Sequence, residues 1–392
     1  MSNDIVVVAQ CRTPVGRFGG ILSEKTALEL ATIVIKELFS RADVKPGEID
    51  EIIMGNVENR TDETCIARFA ALTAGIPYTA PAYVVNRLCG SSMQAIHSAA
   101  GSIMLGRSSV AIAGGVENMS RYRYGVSEAR FGCRMGDTTF EDMLVQSLTD
   151  QKEKKHIAYT AENLAVKYGI SREQQDEQAC LSHQKAALAR DAGKFTDEIV
   201  PLNVKRGKEE TVFMNDEGIR DNINPEKIAK MRPLFPEGSV TAANASGIND
   251  GASAMLLMSE QYAKSKGLKP LAYLRATASI GCPPEIMGIG PVPAIKKILN
   301  QTGLSLDQID LFEINEAFAV QLLSVIKELD LDSSIINVNG GAIALGHAVG
   351  NSGTRISITL LQEMRRRQAR FGISTMCIGG GQGIATLWEV AD

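Results

Sequence analysis

Short apolar runs alternate with stretches in which apolar residues recur every three or four positions, as expected for buried strands and amphipathic helices. Residues 5–9 form a continuous apolar run that predicts a strand, and residues 26–40 carry apolar side chains at helical spacing. Further strands are predicted at 51–54 and at 110–113, which ends in two glycines, with a helix at 91–105 between them. This alternation predicts an α/β protein.

The chain also contains an internal repeat. Residues 31–56 read as an amphipathic stretch, an Ile-Asp pair and a short apolar run, and residues 294–316 follow the same plan. Cys89 follows the first copy and precedes a helix, while His347 follows the second and precedes a helix predicted at 352–366. Two related halves that face each other would bring these two residues together. The alternative is a chance similarity between two α/β segments.

The middle of the chain, residues 120–240, is richer in charge and lacks the alternation typical of strands. It contains a helical stretch at 161–192 in which Ser171 is a plausible N-cap residue. The segment is interpreted as a large insertion, and insertions on α/β scaffolds commonly carry substrate contacts. The predicted division is a first half of residues 1–119 with 241–268, an inserted domain of residues 120–240, and a second half of residues 269–392.

Composition narrows the class of protein. The 392 residues carry a formal net charge of −4, which argues against binding nucleic acid or a membrane through the whole surface. Seven scattered cysteines without a C-x-x-C pair favour reduced thiols in the cytoplasm over disulfides or structural zinc. No apolar run approaches the roughly 18 residues of a membrane span, and no His/Asp/Glu cluster has metal-ligand spacing, so we expect no catalytic metal.

Cys89 and His347 are the first candidate catalytic residues. Cys89 directly precedes a helix opened by glycine and serine, where the positive end of the helix favours a thiolate and backbone amides could hold an oxyanion. His347 lies in a glycine-dense loop before a helix and could be the base of a Cys–His couple. A small buried cysteine and a satisfied core histidine are the alternatives. Of the other histidines, His97 is predicted to pack or face solvent, and His183 to lie on a solvated helix face.

Two further residues lie at predicted strand ends. Cys377 precedes three glycines, whose amides could point toward a site. Asn315 could fix a water or donate to an oxyanion. A plain strand cysteine and ordinary turn chemistry are the alternatives here.

Four segments resemble signatures of the thiolase family, in order along essentially the whole chain. These are residues 86–92 (NRLCGSS), 315–319 (NEAFA), 339–353 around His347, and 377–383 (CIGGGQG). The resemblance implies an α/β thiolase fold of two similar five-layer αβαβα halves, with a loop domain inserted in the first.

The same resemblance implies a reaction on coenzyme A thioesters that uses neither a cofactor nor a metal. Cys89 would take the acyl group while His347 accepts its proton, and Cys377 would remove a proton from the α-carbon of acetyl-CoA. Asn315 would hold a water that forms one oxyanion hole with His347. The amides of Cys89 and Gly379 would form the other.

The inserted domain resembles the short-chain acetoacetyl-CoA thiolases more than the long-chain degradative branch. The implied function is the acetyl-CoA C-acetyltransferase reaction, which condenses two acetyl-CoA to acetoacetyl-CoA. The alternatives are a broader 3-ketoacyl-CoA thiolase of β-oxidation and a non-enzymatic thiolase-like lipid carrier. The family forms homo-oligomers, so a tetramer or dimer is expected. Carried over by position, the residues along the coenzyme A and pantetheine path are His156, Arg220, Ser246, Met287 and Phe318.

The chain departs from the family pattern at two positions. Ala348 stands where the family usually has proline after the histidine, and Tyr159 replaces a small residue near the expected acyl or pantetheine channel. Both departures bear on the range of substrates more than on the class of reaction.

Overall fold

A computed structural model describes residues 4–206 and 209–391. The strands are β1 Ile5–Arg12, β2 Gly16–Arg17, β3 Glu51–Gly55, β4 Ala82–Val85, β5 Val110–Asn118, β6 Tyr124–Gly125, β7 Glu141–Asp142, β8 Leu202–Arg206, β9 Glu209–Phe213, β10 Asn249–Ser259, β11 Ala272–Gly281, β12 Leu311–Ile314, β13 Phe371–Ile378 and β14 Gln382–Val390. The helices are α1 Ala27–Ala42, α2 Ile66–Thr73, α3 Ser91–Met104, α4 Met143–Ser147, α5 Tyr159–Tyr168, α6 Arg172–Asp191, α7 Pro225–Ala229, α8 Glu260–Ser265, α9 Pro291–Thr302, α10 Ala319–Leu329, α11 Ala342–Leu345 and α12 Ser352–Arg367.

The main sheet is built from two copies of one strand arrangement. The first half has the order β4-β3-β5-β10-β1, and the second has β12-β13-β14-β11. In each half a pair of parallel strands is followed by antiparallel ones. The edge strands β1 and β11 pair antiparallel over a short register that includes Ile5 with Leu274, which joins the halves. The predicted internal repeat is therefore present in the fold.

Equivalent side chains anchor the two copies. Oδ2 of Asp50 accepts hydrogen bonds from the amides of Ser109 and Val110, at 2.7 and 3.0 Å, where β5 begins. Oδ2 of Asp310 accepts two from the amides of Arg370 and Phe371, both at 2.8 Å, where β13 begins. These are the two Ile-Asp pairs of the sequence repeat, so Val110 and Phe371 occupy equivalent positions.

Apolar clusters lie between the layers of helices and strands. The first lies between helices α1 and α2 and the outer face of the first half, and includes Leu30 and Leu256. The second surrounds the central helices between the two halves, where α3 and α12 contribute Ile96 and Leu361. The third lies under α9 and α10 and includes Ile295. The order of helices, strands, helices, strands and helices is the predicted αβαβα layering of the thiolase fold, with the five layers shared between the two halves.

Strand β5 is longer than the sequence pattern predicts. The prediction that it ends at its two glycines is wrong, because β5 runs through Gly114 and Gly115 to Asn118. A Cβ atom on Gly115 would lie only 2.1 Å from the carbonyl oxygen of Gly350. Gly115 allows the loop after His347 to approach the strand, and Gly114 allows β10 to approach it at Ser253, so neither glycine marks a turn.

The insertion also differs in detail from its prediction. The single helix expected at 161–192 is two helices, because Gly169 adopts a left-handed conformation with φ of 61° and ends α5. Ser171 then caps α6 as predicted, accepting from the amide of Gln174. A buried Arg12 on β1 contacts Glu198 and Asp216 of the insertion at 2.7 and 2.6 Å. The exact division of the chain into domains stays a prediction, and its outermost residues lie outside the described ones.

Within residues 4–206 and 209–391, no helix has the length and apolar character needed to cross a membrane. In the same part of the chain, no group of three or more His, Cys, Asp or Glu side chains is arranged to hold a metal ion.

Candidate active site

A cavity of about 740 Å³ lies where the two halves and the insertion meet. Cys89, His347, Cys377 and Gly379 all line it, so the fold brings together the reactive residues of both halves. Four of the predicted substrate-binding residues also line it, namely His156, Ser246, Met287 and Phe318.

Arg220 and Asn315 lie beside this cavity and not on its wall. Arg220 lines an adjoining depression of about 210 Å³, whose wall shares Ala245 and Ile248 with the main cavity. Asn315 is buried behind the wall, with its main-chain amide bonded to the carbonyl of Thr375 at 3.0 Å.

The turn that carries Cys89 is held in an uncommon conformation. Leu88 has φ of 47°, in the left-handed region that a leucine rarely adopts. The Leu88 amide donates to Oδ1 of Asn86 at 2.9 Å, and the Leu88 carbonyl accepts from the hydroxyl of Ser91 at 2.6 Å. Strain of this kind persists where surrounding contacts fix it, which is common at active sites. The turn aims Cys89 into the cavity at the start of α3.

The Cys89 sulfur rests as a thiol. Burial raises its pKa, and the backbone amides of Gly379 and of Cys89 itself oppose this by hydrogen bonding. Burial of the sulfur thus acts against the thiolate that the helix start was expected to favour. The two amides that face the sulfur are also the donors predicted for one oxyanion hole.

His347 is held in one orientation by its contacts. Its Nδ1 lies 2.6 Å from the hydroxyl of Ser352, which is also within 2.8 Å of the carbonyl of Ala348 and can donate to it. With the hydroxyl proton on that carbonyl, the hydroxyl accepts from Nδ1–H, and this arrangement leaves Nε2 as the unprotonated nitrogen. The His347 amide donates to Oδ1 of Asn249 at 2.9 Å, which fixes the backbone.

The electrostatic surroundings keep His347 neutral. Burial, helped by the nearby Arg355, lowers the pKa of His347 to about 4. A neutral imidazole with a free Nε2 can accept a proton from a thiol whose own pKa is raised. Ala348, which replaces the usual proline, is buried, and its carbonyl is bonded both by Ser352 and by the amide of Asn351 at 3.0 Å.

Cys377 lies at the end of β13, opposite Gly383 on β14. Burial and the neighbouring Cys89 raise the pKa of the Cys377 thiol well above its usual value. The turn that follows contains Gly380 and Gly381 with φ of 76° and 84°, conformations that require glycine. The turn returns the chain beside Cys377 and places Gly379 at the cavity.

The carboxamide of Asn315 is buried, and within the described residues neither its oxygen nor its nitrogen has a hydrogen-bond partner. A buried amide left unpaired costs about 1–3 kcal/mol. A bound water would satisfy it, which agrees with the role expected for Asn315.

The prediction about His183 is wrong. His183 is buried and not on a solvated face, because the segment at Arg220 covers it and donates its amide to Nδ1 at 3.3 Å. Tyr159 begins α5 with its ring beside Lys155, directly after the wall residues His156 and Ile157, and does not itself line the cavity. His97 packs as predicted, with Nε2 2.8 Å from the hydroxyl of Thr386.

Sequence reasoning missed three residues that hold the site together. Ser352 and Asn249 fix the ring and backbone of His347, and Glu117 binds the loop that follows it at Gly350. The only local signal was for Ser352, a serine at the first position of a helix that follows a candidate base.

Comparison with known proteins places this geometry in a family. The model of the thiolase N-terminal domain matches residues 5–261, and that of the thiolase C-terminal domain matches residues 268–390. An acetyl-CoA acetyltransferase of Chromobacterium violaceum is 49% identical over 98% of this chain and 99% of its own length.

Solved structures agree with the sequence relatives. The Bacillus anthracis acetyl-CoA acetyltransferase superposes with a TM-score of 0.97 at 47% identity, covering 100% of both chains. Human mitochondrial 3-ketoacyl-CoA thiolase superposes with a TM-score of 0.97 at 46% identity, covering 99% of both chains. This chain belongs to the thiolase family and is an acyltransferase by that membership.

Proposed function

We propose that this protein is an acetyl-CoA C-acetyltransferase, which condenses two acetyl-CoA to acetoacetyl-CoA and free coenzyme A and also catalyses the reverse. The observation that carries the proposal is the meeting of Cys89, a neutral His347 and Cys377 in one cavity. Relatives and solved structures that bear this name match nearly the whole chain, which supports the choice of reaction.

The first half-reaction acylates Cys89. Nε2 of His347 takes the proton of the Cys89 thiol as the sulfur attacks the thioester carbonyl of acetyl-CoA. The new oxyanion, on the carbon now bonded to Cys89, lies near the backbone amides of Cys89 and Gly379. Collapse breaks the carbon–sulfur bond to coenzyme A, and the departing sulfur takes a proton from Cys377. The acetyl group remains on Cys89, and Cys377 remains as a thiolate.

The second half-reaction makes the carbon–carbon bond. The Cys377 thiolate removes a proton from the methyl carbon of a second acetyl-CoA, and the enolate oxygen is stabilised by His347 and the Asn315 water. The carbanion attacks the acetyl carbon on Cys89, where the amides of Cys89 and Gly379 stabilise the oxyanion. Collapse releases acetoacetyl-CoA and the Cys89 thiolate, which regains the proton from His347. The high pKa of the Cys377 thiol suits this step, because a strong base is needed for a weakly acidic α-proton.

The remaining predicted residues suit the long substrate. Met287 and Phe318 give the cavity a buried apolar wall. Ser246 and His156 add polar groups to that wall, and Arg220 lies exposed in the adjoining depression. A guanidinium at the mouth could contact the phosphate-bearing end of coenzyme A while the pantetheine chain follows the apolar wall.

The proposal extends to the oligomeric state of the protein and to its place in the cell. We propose a homo-oligomer, either a tetramer or a dimer. Exposed apolar side chains on the segment that connects β6 and β7 support it. Phe131 is 90% exposed and Met135 98%, which is costly for an isolated chain. Light scattering coupled to size-exclusion chromatography measures the oligomeric state directly.

We further propose that the protein is a cytoplasmic enzyme of fatty acid metabolism that needs no cofactor or metal.

Two measurements test the reaction. Mass spectrometry after incubation with acetyl-CoA should find an acetyl group on the Cys89 peptide, and its absence in folded protein that binds coenzyme A would favour a lipid carrier. Thiolytic cleavage rates should then be compared for acetoacetyl-CoA and for 3-ketoacyl-CoA substrates of longer chain. Faster cleavage of the longer chains would overturn the assignment to acetyl transfer.

A broader 3-ketoacyl-CoA thiolase is the second candidate. The likeness to the human mitochondrial 3-ketoacyl-CoA thiolase is nearly as close as that to the acetyltransferases. The cavity wall around Cys89 also contains Val57, Met119 and Leu148, whose apolar side chains could hold a longer acyl tail. The same comparison of cleavage rates decides between the two.

A further inference from the structure

Glu117 is a buried carboxylate next to the reactive residues that the proposed reaction does not use. It lies near the end of β5, fully buried within the first half. Oε2 accepts hydrogen bonds from the amides of Gly350 and Val57, both at 2.9 Å. Oε1 accepts from the amide of Glu58 and from Nδ2 of Asn56, both at 3.1 Å. All four partners are N–H donors, so the geometry suits an ionised carboxylate and not an amide or a carboxylic acid.

The contacts of Glu117 connect the two halves of the site. Gly350 belongs to the loop that follows His347, in the second half of the fold. The approach there is close, because a Cβ atom on Gly350 would lie 2.4 Å from Oε2 of Glu117. Val57 and Val349, the residues on either side of this contact, both line the cavity. One carboxylate therefore holds together two parts of the cavity wall, one from each half of the fold.

The connection continues to the nucleophile. The carbonyl of Val57 accepts from Nδ2 of Asn86 at 3.1 Å. Oδ1 of Asn86 accepts from the amide of Leu88, the strained residue next to Cys89, at 2.9 Å. A continuous path of hydrogen bonds thus runs from the loop of His347 through Glu117, Val57 and Asn86 to the turn that carries Cys89.

We infer that Glu117 is a positioning residue that sets the placement of His347 relative to Cys89 by joining the loop after His347 to the Cys89 turn. The inference rests on the proposed function, since it gives that proton transfer its geometry. A displacement of about 1 Å between reacting groups can cost about 100-fold in rate, so a tether of this kind has a measurable effect.

The charge of Glu117 also acts on its neighbours. It raises the pKa of the Cys89 thiol and that of the buried Tyr122, which also faces Cys89 and Glu58. Burial raises the pKa of Glu117 itself to about 7, against the opposing effect of its N–H donors. Removal of the charge should therefore make Cys89 ionise at lower pH, which a purely structural contact would not do.

The test uses Glu117→Gln in the full chain, with Asp50→Asn as its matched control. Asp50 also binds two backbone amides of β5, but at the far end of the strand. For Glu117→Gln we expect kcat to fall about 10- to 100-fold with KM changed less than about threefold. Peptide mass spectrometry after iodoacetamide should show Cys89 alkylation with its pH midpoint moved to lower pH. Asp50→Asn should change neither quantity.

A folded Glu117→Gln protein with wild-type kcat and an unchanged alkylation midpoint would overturn the inference. If that variant does not fold, Asn86→Ala interrupts the same path at an exposed side chain. It should lower kcat with little change in KM, and wild-type kcat would refute the tether. Alkylation does not require acyl transfer. If Cys89 takes no acetyl group but its midpoint still moves in Glu117→Gln, the proposed function fails while the role of Glu117 stands.

Discussion

The hydroxyl of Ser352 lies 2.6 Å from Nδ1 of His347 and donates its own proton to the carbonyl of Ala348. This pair decides which imidazole nitrogen is available to the substrate. A ring with its proton on Nδ1 presents an unprotonated Nε2, and this tautomer is the one that can accept the proton of Cys89.

Ser352→Ala removes the hydrogen bond that orients the ring. We expect kcat to fall about 10- to 100-fold with little change in KM, because the proton acceptor is lost from part of the population while the binding surface is unchanged. Steady-state thiolysis of acetoacetyl-CoA measures both constants. Ser357→Ala is the matched control, since Ser357 is a buried serine of the same helix that bonds Gly353 and Ser374. Equal losses in the two variants would argue against an orienting role for Ser352.

Substitution of each of the two cysteines should block a different half-reaction. Cys89→Ala should abolish the acetyl adduct formed with acetyl-CoA, because Cys89 is the sulfur that carries the acetyl group in the proposed reaction. Cys377→Ala should still form an adduct on Cys89 but lose the condensation, since the base for the α-proton is gone. Intact-protein mass spectrometry measures the adduct, and coupled release of coenzyme A measures turnover. A Cys377→Ala protein that condenses acetyl-CoA at the wild-type rate would contradict this division.

The lowered pKa of His347 predicts how stability depends on pH. His347 titrates near 4 in the folded protein, below the value of about 6.5 in an unfolded chain, so the unfolded state binds a proton first. The stability that the neutral ring contributes is complete above about pH 6.5 and is lost as the pH falls toward 4. His347→Gln should therefore lose less free energy of unfolding than wild type between pH 7 and pH 5. Urea denaturation at both values measures this, and parallel losses would show that His347 does not titrate in that window.

Ala348→Pro should stabilise the protein. Within the described residues the amide of Ala348 donates no hydrogen bond, so proline at this position removes none. Fewer unfolded conformations should then raise the free energy of unfolding by about 0.4–1 kcal/mol. Ala348→Gly is the opposite control and should lower it by a similar amount. Chemical denaturation tests both, and a Pro variant less stable than wild type would show that this loop has left the family conformation.

Asn315→Ala removes the unpartnered buried amide. We expect a loss of about 10- to 100-fold in kcat, because the oxyanion water would lose its holder. Little stability should be lost, since no protein hydrogen bond is broken within the described residues. Kinetics and thermal melting together separate the two effects. A large loss of stability with normal kcat would make Asn315 a packing residue.

The sequence alone predicts the reactive residues because each lies at a local signal. Cys89 and His347 precede helices, and Cys377 precedes a glycine turn, which makes them candidates, while the resemblance to the thiolase signatures assigns their roles. Glu117 carries no such signal, because its partners are backbone amides at positions 60 and 233 residues away. The sequence also does not predict the ionisation state of Cys89, because this depends on how deeply the two halves bury the sulfur. Gly169 is a signal for the end of α5, but the helical spacing of apolar residues continues on both sides of it and predicts one helix.

The antiparallel pairing of β1 with β11 relates the two halves by an approximate twofold rotation. Counted from the equivalent strand starts Phe371 and Val110, the position of Cys377 in the second half corresponds to Val116 in the first. Counted from the anchoring aspartates Asp310 and Asp50, that of Asn315 corresponds to Gly55. The rotation turns the same end of each half toward the region where the halves meet. Two identical copies would repeat the same residues there. Because the copies differ at these positions, one cavity brings together the three different side chains of Cys89, His347 and Cys377.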